Sequence, residues 1–436
     1  MAEALHPRPL RRRPEESLKL KVQSSKLKVQ SSMNYNRPYK NTSTVGIRLA
    51  CAIVFVIFSV SWIHFFQADM LTVAQHVLSN GKTSYTPIVG TIVITALLML
   101  LQLFVYGLTR LSKRFHALTY VPSMFLLGLL TDLGLSQHPA IAYQWSWWQP
   151  VIVLLLWLPV VLVARLYQTI EENPSYSLFS RPMWINMLLL SLQIMLVAWM
   201  GNTNAVFHYR MKMECLLSRG EYRAALEVGR KSLESDANLL MLRMYALARE
   251  NALGERLFEY PITGTSSEML PTSGKTHMLY CPEDSLYRFL GARPADPMEP
   301  MHYLDLLIRR ASNTPDSLST PTVNCPLSTL NSQLSTLNYY LSGLLIDRQL
   351  DRFAREIGKY YALDDQLPKH YREALVLYSH LRSHPVVVYH HAVTEEDWRT
   401  LQELERQYPN PSERKVKVAE QYHDTYWYYY EYEAER

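Results

Sequence analysis

The stretch PIVGTIVITALLMLLQLFVYGL, Pro87 to Leu108, contains no Asp, Glu, Lys, Arg or His. About 20 mainly apolar residues let a helix cross the roughly 30 Å hydrocarbon core of a bilayer. Four further stretches share this character: Gly46 to Phe66, Ala117 to Leu133, Gln149 to Leu166 and Met183 to Met200. Nothing comparable lies outside residues 46–201. The expectation is an all-α chain, with a five-helix transmembrane bundle over 46–201 followed by an extramembrane helical half. The third stretch is the weakest, because Pro122 interrupts it and Asp132 lies near its far end.

Sidedness follows from Lys and Arg in the short connections, since positively charged loops stay cytoplasmic. One set of connections carries eight (Arg37, Lys40, Arg48, Arg110, Lys113, Arg114, Arg165 and Arg181), and the opposite set carries only Lys82. The N-terminus is therefore expected in the cytoplasm. An odd number of crossings then places everything after Met200 on the far side, the periplasm in a bacterium with two membranes. Trp62, Phe65, Phe66, Trp145, Trp147 and Trp148 cluster at the expected outer interface, where amphipathic rings settle.

The formal charge of +5 does not argue for nucleic acid, because eight Lys or Arg precede Met33. Residues 1–45 read as a basic cytoplasmic tail. Within it LKVQSS (Leu20 to Ser25) returns as LKVQSS (Leu27 to Ser32) directly before Met33, so 1–32 is expected to be a mis-called start with Met33 as the true one. Four cysteines are too few for a disulfide scaffold.

The polar half divides into helical hairpins over 202–311, a Ser/Thr/Asn/Pro-rich low-complexity insertion over 312–338, and C-terminal hairpins over 339–436. The insertion, containing the tandem copy LSTLNSQLSTLN (Leu327 to Asn338), is expected to be disordered. In the first part GEYRAALEVGRKSLESDAN (Gly220 to Asn238) resembles the second half of a tetratricopeptide repeat, a helical hairpin that recurs at a fixed period. Gly220 matches the turn glycine, Tyr222 the inter-helix aromatic and Ala225 the small residue that lets paired helices approach; Gly254 marks the next turn. Gly229, Ser232 and Ala237 depart from that pattern. The resemblance implies stacked hairpins with a face suited to a peptide or partner protein. Thr394-Glu395-Glu396-Asp397 is expected to cap a helix ending near Tyr408.

No reaction is specified. Gly274-Lys275-Thr276 lacks the glycine five places earlier that a phosphate-binding loop requires. Adjacent His390 and His391 lack metal-ligand spacing, and neither a CxxC pair nor a GxSxG elbow occurs, so no cofactor or metal is expected. Asp69, directly after the first span, is the one candidate acid; it stands where multi-pass glycosyltransferases using lipid-linked sugars often carry a catalytic carboxylate. The aromatic tail Tyr422 to Glu433 interleaves rings with acids, which disfavours nucleic acid. Its rings are expected to pack against the helices or the membrane interface. The expected partners are the lipid bilayer and a protein or peptide.

Four phrases, QADMLTVAQHVLSNG (Gln67 to Gly81), GERLFEYP (Gly254 to Pro261), LPKHYREALVLY (Leu367 to Tyr378) and DTYWYYY (Asp424 to Tyr430), together resemble an uncharacterised family of bacterial multi-pass membrane proteins, a domain of unknown function. The resemblance runs from about Met33 to the end, excepting the insertion, and implies no activity.

Overall fold

A computed structural model describes residues 42–136, 141–146, 148–168, 181–312 and 327–433. The basic tail and Met33 lie outside them. The described residues are predominantly helical, with one short β-hairpin.

The first half contains α1 (Thr42–Ser61) continued by a π-helical turn (Trp62–Phe66), α2 (Ala68–Leu78), α3 (Pro87–Thr109) and a 3₁₀ segment (Lys113–Tyr120) that runs into α4 (Val121–Leu130). Then come β1 (Leu133–Leu135) paired antiparallel with β2 (Ile141–Tyr143), α5 (Trp148–Gln168) and α6 (Arg181–Met200). Four helices are long and apolar enough to cross a membrane: Val45–Phe66, Pro87–Thr109, Trp148–Tyr167 and Arg181–Met200.

These helices are inside out relative to a protein in water. On α3 the buried positions are Thr91, Thr95, Leu98, Gln102, Val105 and Thr109, a stripe at alternating spacings of four and three that faces the neighbouring helices. Its outward face is Ile88, Ile92, Leu97, Leu100, Phe104 and Leu108, all exposed. On α6 Asn186, Leu190, Gln193, Val197 and Met200 face inward, whereas Leu188, Leu192 and Met195 face outward. Apolar surface on this scale suits lipid, and three inward polar groups bond to a neighbouring element: Gln102 Nε2 donates to Thr119 Oγ1 at 2.9 Å, Gln193 Nε2 donates to Ala117 O at 3.0 Å, and Asn186 Oδ1 accepts from Ala117 N.

The third apolar stretch differs from the expected single helix. Its first part winds as the 3₁₀ segment, and Pro122 sits in the first turn of α4, where the missing N–H costs nothing. The two pieces together rise about 31 Å. At one end Asn186 Oδ1 accepts from Ala117 N at 2.7 Å and Asn186 Nδ2 donates to Lys113 O at 2.7 Å, level with the start of α6. Midway, Ser123 Oγ donates to Leu98 O at 2.8 Å in the centre of α3. At the other end Trp62 Nε1 donates to Thr131 Oγ1 at 3.2 Å, and Asn202 N donates to Thr131 O at 2.9 Å, just beyond α6. The segment thus runs from one end of the bundle to the other, buried among its neighbours.

The second half comprises α7 (Ala205–Ser218), α8 (Tyr222–Glu227), α9 (Ala237–Arg249), α10 (Leu253–Arg256), α11 (Glu283–Leu290), α12 (Pro300–Ser312), α13 (Leu327–Ile346), α14 (Leu350–Ile357), α15 (Lys369–Leu381), α16 (Ala392–Gln407), α17 (Pro411–Tyr422) and α18 (Tyr426–Tyr432). Their apolar faces converge on one core that includes Leu240, Tyr245, Leu286, Leu341, Phe353, Leu375 and Trp427. α7 also contributes Phe207, Met211 and Cys215 to the core of the first half, where they meet Met70, Val73 and Ala74 of α2. The helical half is therefore docked on the bundle through α2, which lies in a connection expected to be plain loop.

Two expectations need correction. The expected insertion does not extend through 338: residues 327–338 belong to α13, where Ser335, Thr336, Leu337 and Asn338 are buried. Asn338 Oδ1 accepts from Tyr361 Oη at 2.7 Å and Tyr371 Oη at 3.1 Å, so polar residues there serve the core. Residues 313–326 lie outside the described residues. The cap of α16 is His391, whose Nδ1 accepts from Thr394 N at 3.2 Å, and the helix starts at Ala392.

Candidate functional site

α7 ends in a tight turn because Gly220 adopts φ +76°, a left-handed conformation that lacks a steric penalty only for glycine. Gly220 N donates to Leu217 O and Glu221 N to Leu216 O, both at 3.0 Å, tying off carbonyls at the helix end. Tyr222 follows and Ala225 is fully buried on α8. The helix stops after Glu227: Val228 is extended and Gly229 turns at φ +63°, where an added Cβ would stand 2.8 Å from Tyr209 Cδ2. The departure seen in the sequence at Gly229 is thus where the second helix of this hairpin is cut short. Gly254 lies elsewhere, packed beneath α15, where a Cβ would be 2.7 Å from Pro368 Cβ and 3.0 Å from Tyr371 Cζ. Gly254→Ala is expected to cost about 1–3 kcal/mol through overpacking. The thermal unfolding midpoint of the detergent-solubilised chain reads this, and an unchanged midpoint would mean that α10 and α15 part freely.

Gly220 and Tyr222 line a cleft of 560 Å³ between the α7–α8 turn, the end of α9 and α11. Three guanidinium groups reach it from these separate elements: Arg219, Arg249 and Arg288. Arg249 lies over two rings, 4.6 Å from the Tyr222 centroid and 5.0 Å from that of Phe289, a cation–π placement that fixes its plane. Arg288 Nε donates to Asp284 O at 3.2 Å. Among the described residues the side chains of Arg219 and Arg249 have no ion-pair or hydrogen-bond partner. Several other arginines of this half are matched: Arg223 with Glu250 at 2.7 Å, Arg293 with Asp284 at 2.9 Å, Arg382 with Asp351 at 2.7 Å. The first two pairs also occupy acids that flank the cleft.

Behind the cleft, Glu214 is completely buried. Its carboxylate accepts from three successive amides, Leu279 N at 2.8 Å, Tyr280 N at 3.0 Å and Cys281 N at 2.9 Å, and so fastens the segment leading into α11. Burial outweighs these donors and the Arg210 charge, and holds this carboxyl above the usual range. Cys215 and Cys281 are buried free thiols, each pushed up to about 12 chiefly by burial, so neither supplies a thiolate at neutral pH. Cys325 lies outside the described residues.

Asp69 occupies the first turn of α2, where a carboxylate complements the helix dipole. Its backbone oxygen accepts from Cys215 Sγ at 3.9 Å. Among the described residues its carboxylate has no ion-pair or hydrogen-bond partner, and the structure does not bring it to a second acid or base. Lys275 lies 3.7 Å from Glu299, and Thr276 Oγ1 donates to Leu270 O at 3.2 Å, which gives both a structural place. Among the described residues no group of three or more His, Cys, Asp and Glu side chains is placed to hold a metal ion.

A second buried network joins α15 to the C-terminus. Glu373 Oε2 accepts from Tyr426 N at 2.8 Å and lies 2.9 Å from His370 Nδ1, while Glu373 O accepts from Trp427 Nε1 at 2.8 Å. Phe258 N donates to His370 Nε2 at 3.4 Å, which assigns the proton of a neutral His370 to Nδ1. The aromatic tail thereby packs into the helical core, with Tyr426 and Trp427 buried.

The sequence offers no route to Arg249, Arg288 or Phe289 as cleft residues, because they join Gly220 only through the fold. The same holds for Glu214, whose partners lie 65 to 67 residues away.

A model for a family of unknown function (DUF6057) matches residues 319–433. The matched part, narrower than the stretch expected from Met33 onward, holds α13 to α18 and, apart from Phe258, the Glu373 network. No curated protein and no solved structure matches the chain.

Proposed function

We propose that the chain is an integral protein of the bacterial inner membrane whose five crossings display a tetratricopeptide-like helical domain in the periplasm, where it serves as a protein-interaction scaffold. The observation that supports this reading is the buried segment Lys113 to Leu130, which joins the two ends of an apolar-outside bundle and, counted with the four long helices, would bring the crossings to five. The eight-to-one distribution of Lys and Arg supports the cytoplasmic N-terminus. The turn at Gly220 and the hairpins α7–α8 and α9–α10 support the repeat-like reading, with second helices shorter than in a regular array. No cofactor enters this proposal.

Fusing alkaline phosphatase after Asn202 tests it. The enzyme folds only where disulfides form, so the fusion is expected to be active, while the same enzyme after Arg110 is expected to be silent. Activity at Arg110 with none at Asn202 would reverse the topology.

A further inference from the structure

The α7–α8 cleft has the chemistry of an anion site. Its walls are aromatic, its floor includes buried Cys281, and Arg219, Arg249 and Arg288 converge on it with Ser218 and Ser285 among them. Guanidinium is the group best suited to oxyanions, because its planar fork meets two oxygens at once and it stays charged at any physiological pH. A single carboxylate engages one such fork. Ser218 Oγ already donates to Cys215 O at 2.8 Å, so three forks and the Ser285 hydroxyl are what the separate elements offer, a set that matches a group with three terminal oxygens and up to two negative charges.

Position adds to this. Cys215 touches Asp69, which stands three residues beyond Phe66 at the outer end of α1, and Phe66 is itself exposed. The cleft begins two residues past Cys215, at Leu217, so its rim lies within about 8 Å along α7 of that junction. An anion held here is within reach of the membrane surface.

We propose that this cleft binds a terminal phosphate group. Its source is either a phosphomonoester lipid at the membrane surface or a small soluble phosphate ester, and the same contacts serve both. The site is separate from the Glu373 network and does not depend on which protein the domain engages.

The test uses the full chain in detergent micelles. Glycerol 3-phosphate is titrated by calorimetry, with succinate as the carboxylate comparison, and dioleoyl phosphatidic acid is scored by native mass spectrometry against phosphatidylcholine. The unaltered protein is expected to bind at least one phosphate probe in preference to its comparison. Arg219→Gln combined with Arg288→Gln is expected to weaken that binding by about a hundredfold, since each charge-assisted bond lost accounts for about tenfold. Both residues are exposed, so the unfolding midpoint should not move; each single variant is made as well and is expected to show part of the loss. Binding of glycerol 3-phosphate identifies a soluble ester, and binding of phosphatidic acid alone identifies a lipid. Equal or better binding of succinate, absence of binding to both phosphate probes, or an unchanged affinity in the double variant overturns the proposal.

Discussion

Glu214→Ala is expected to destabilise the helical half by about 3–5 kcal/mol, because it leaves three backbone N–H groups buried without an acceptor. The loss should be local as well as global. Amide hydrogen exchange at Leu279, Tyr280 and Cys281, which now donate to Glu214 at 2.8–3.0 Å, should accelerate first. Glu214→Gln should cost about half as much, since one oxygen still accepts while the new NH₂ meets an amide hydrogen head-on. The pH profile has a definite sign. The folded carboxyl sits above its ordinary value, so the folded chain holds this proton more tightly than the unfolded chain does. Stability from this group therefore falls as pH rises from the ordinary Glu range of about 4.3 through the raised folded value. Glu214→Gln should remove that slope. Protection of residues 279–281 unchanged in Glu214→Ala would mean that another group fastens the segment.

The second large effect lies in the family-matched part. Glu373→Ala removes the acceptor of Tyr426 N and the partner of His370 in one step. Its cost is expected at about 3–5 kcal/mol, with His370 left buried beside an empty site. Trp427 still bonds the backbone at position 373, so the tail should loosen and not detach. Limited proteolysis should then release fragments cut near Asp424 at a concentration where the unaltered chain stays whole. His370→Ala leaves the Tyr426 bond to Glu373 intact and should be milder. Equal effects of the two substitutions would place the anchor at His370.

The apolar half was largely legible, because long runs without charge leave few alternatives and the apolar runs coincide with four long helices. The third run was not, since hydropathy is blind to a change from 3₁₀ to α winding at Tyr120 and Val121. α2 was missed as well: its apolar residues Met70, Leu71, Val73, Ala74, Val77 and Leu78 do recur at helical spacing, but over only 11 residues in a connection between two long apolar runs. In the polar half Gly220 was readable because a left-handed turn needs glycine. Gly229 stood out only as a departure from the repeat pattern, and the structure gives the departure its meaning as a helix stop. Low complexity misled at residues 327–338, where Thr336 donates to Leu290 O and Asn338 accepts from Tyr361 and Tyr371 within α13's packing. The cleft was invisible, because three arginines far apart in the chain become neighbours only after α7, α9 and α11 pack.

The side on which the helical half stands is open to one decisive measurement. Leu233, 77% exposed, and Arg110, exposed at the end of α3, are each replaced by cysteine in a chain carrying Cys325→Ser, and intact spheroplasts are treated with a membrane-impermeant maleimide. Leu233→Cys should label at once, and Arg110→Cys only after lysis. Labelling of Arg110→Cys in sealed spheroplasts, with Leu233→Cys protected, would contradict the five-crossing account.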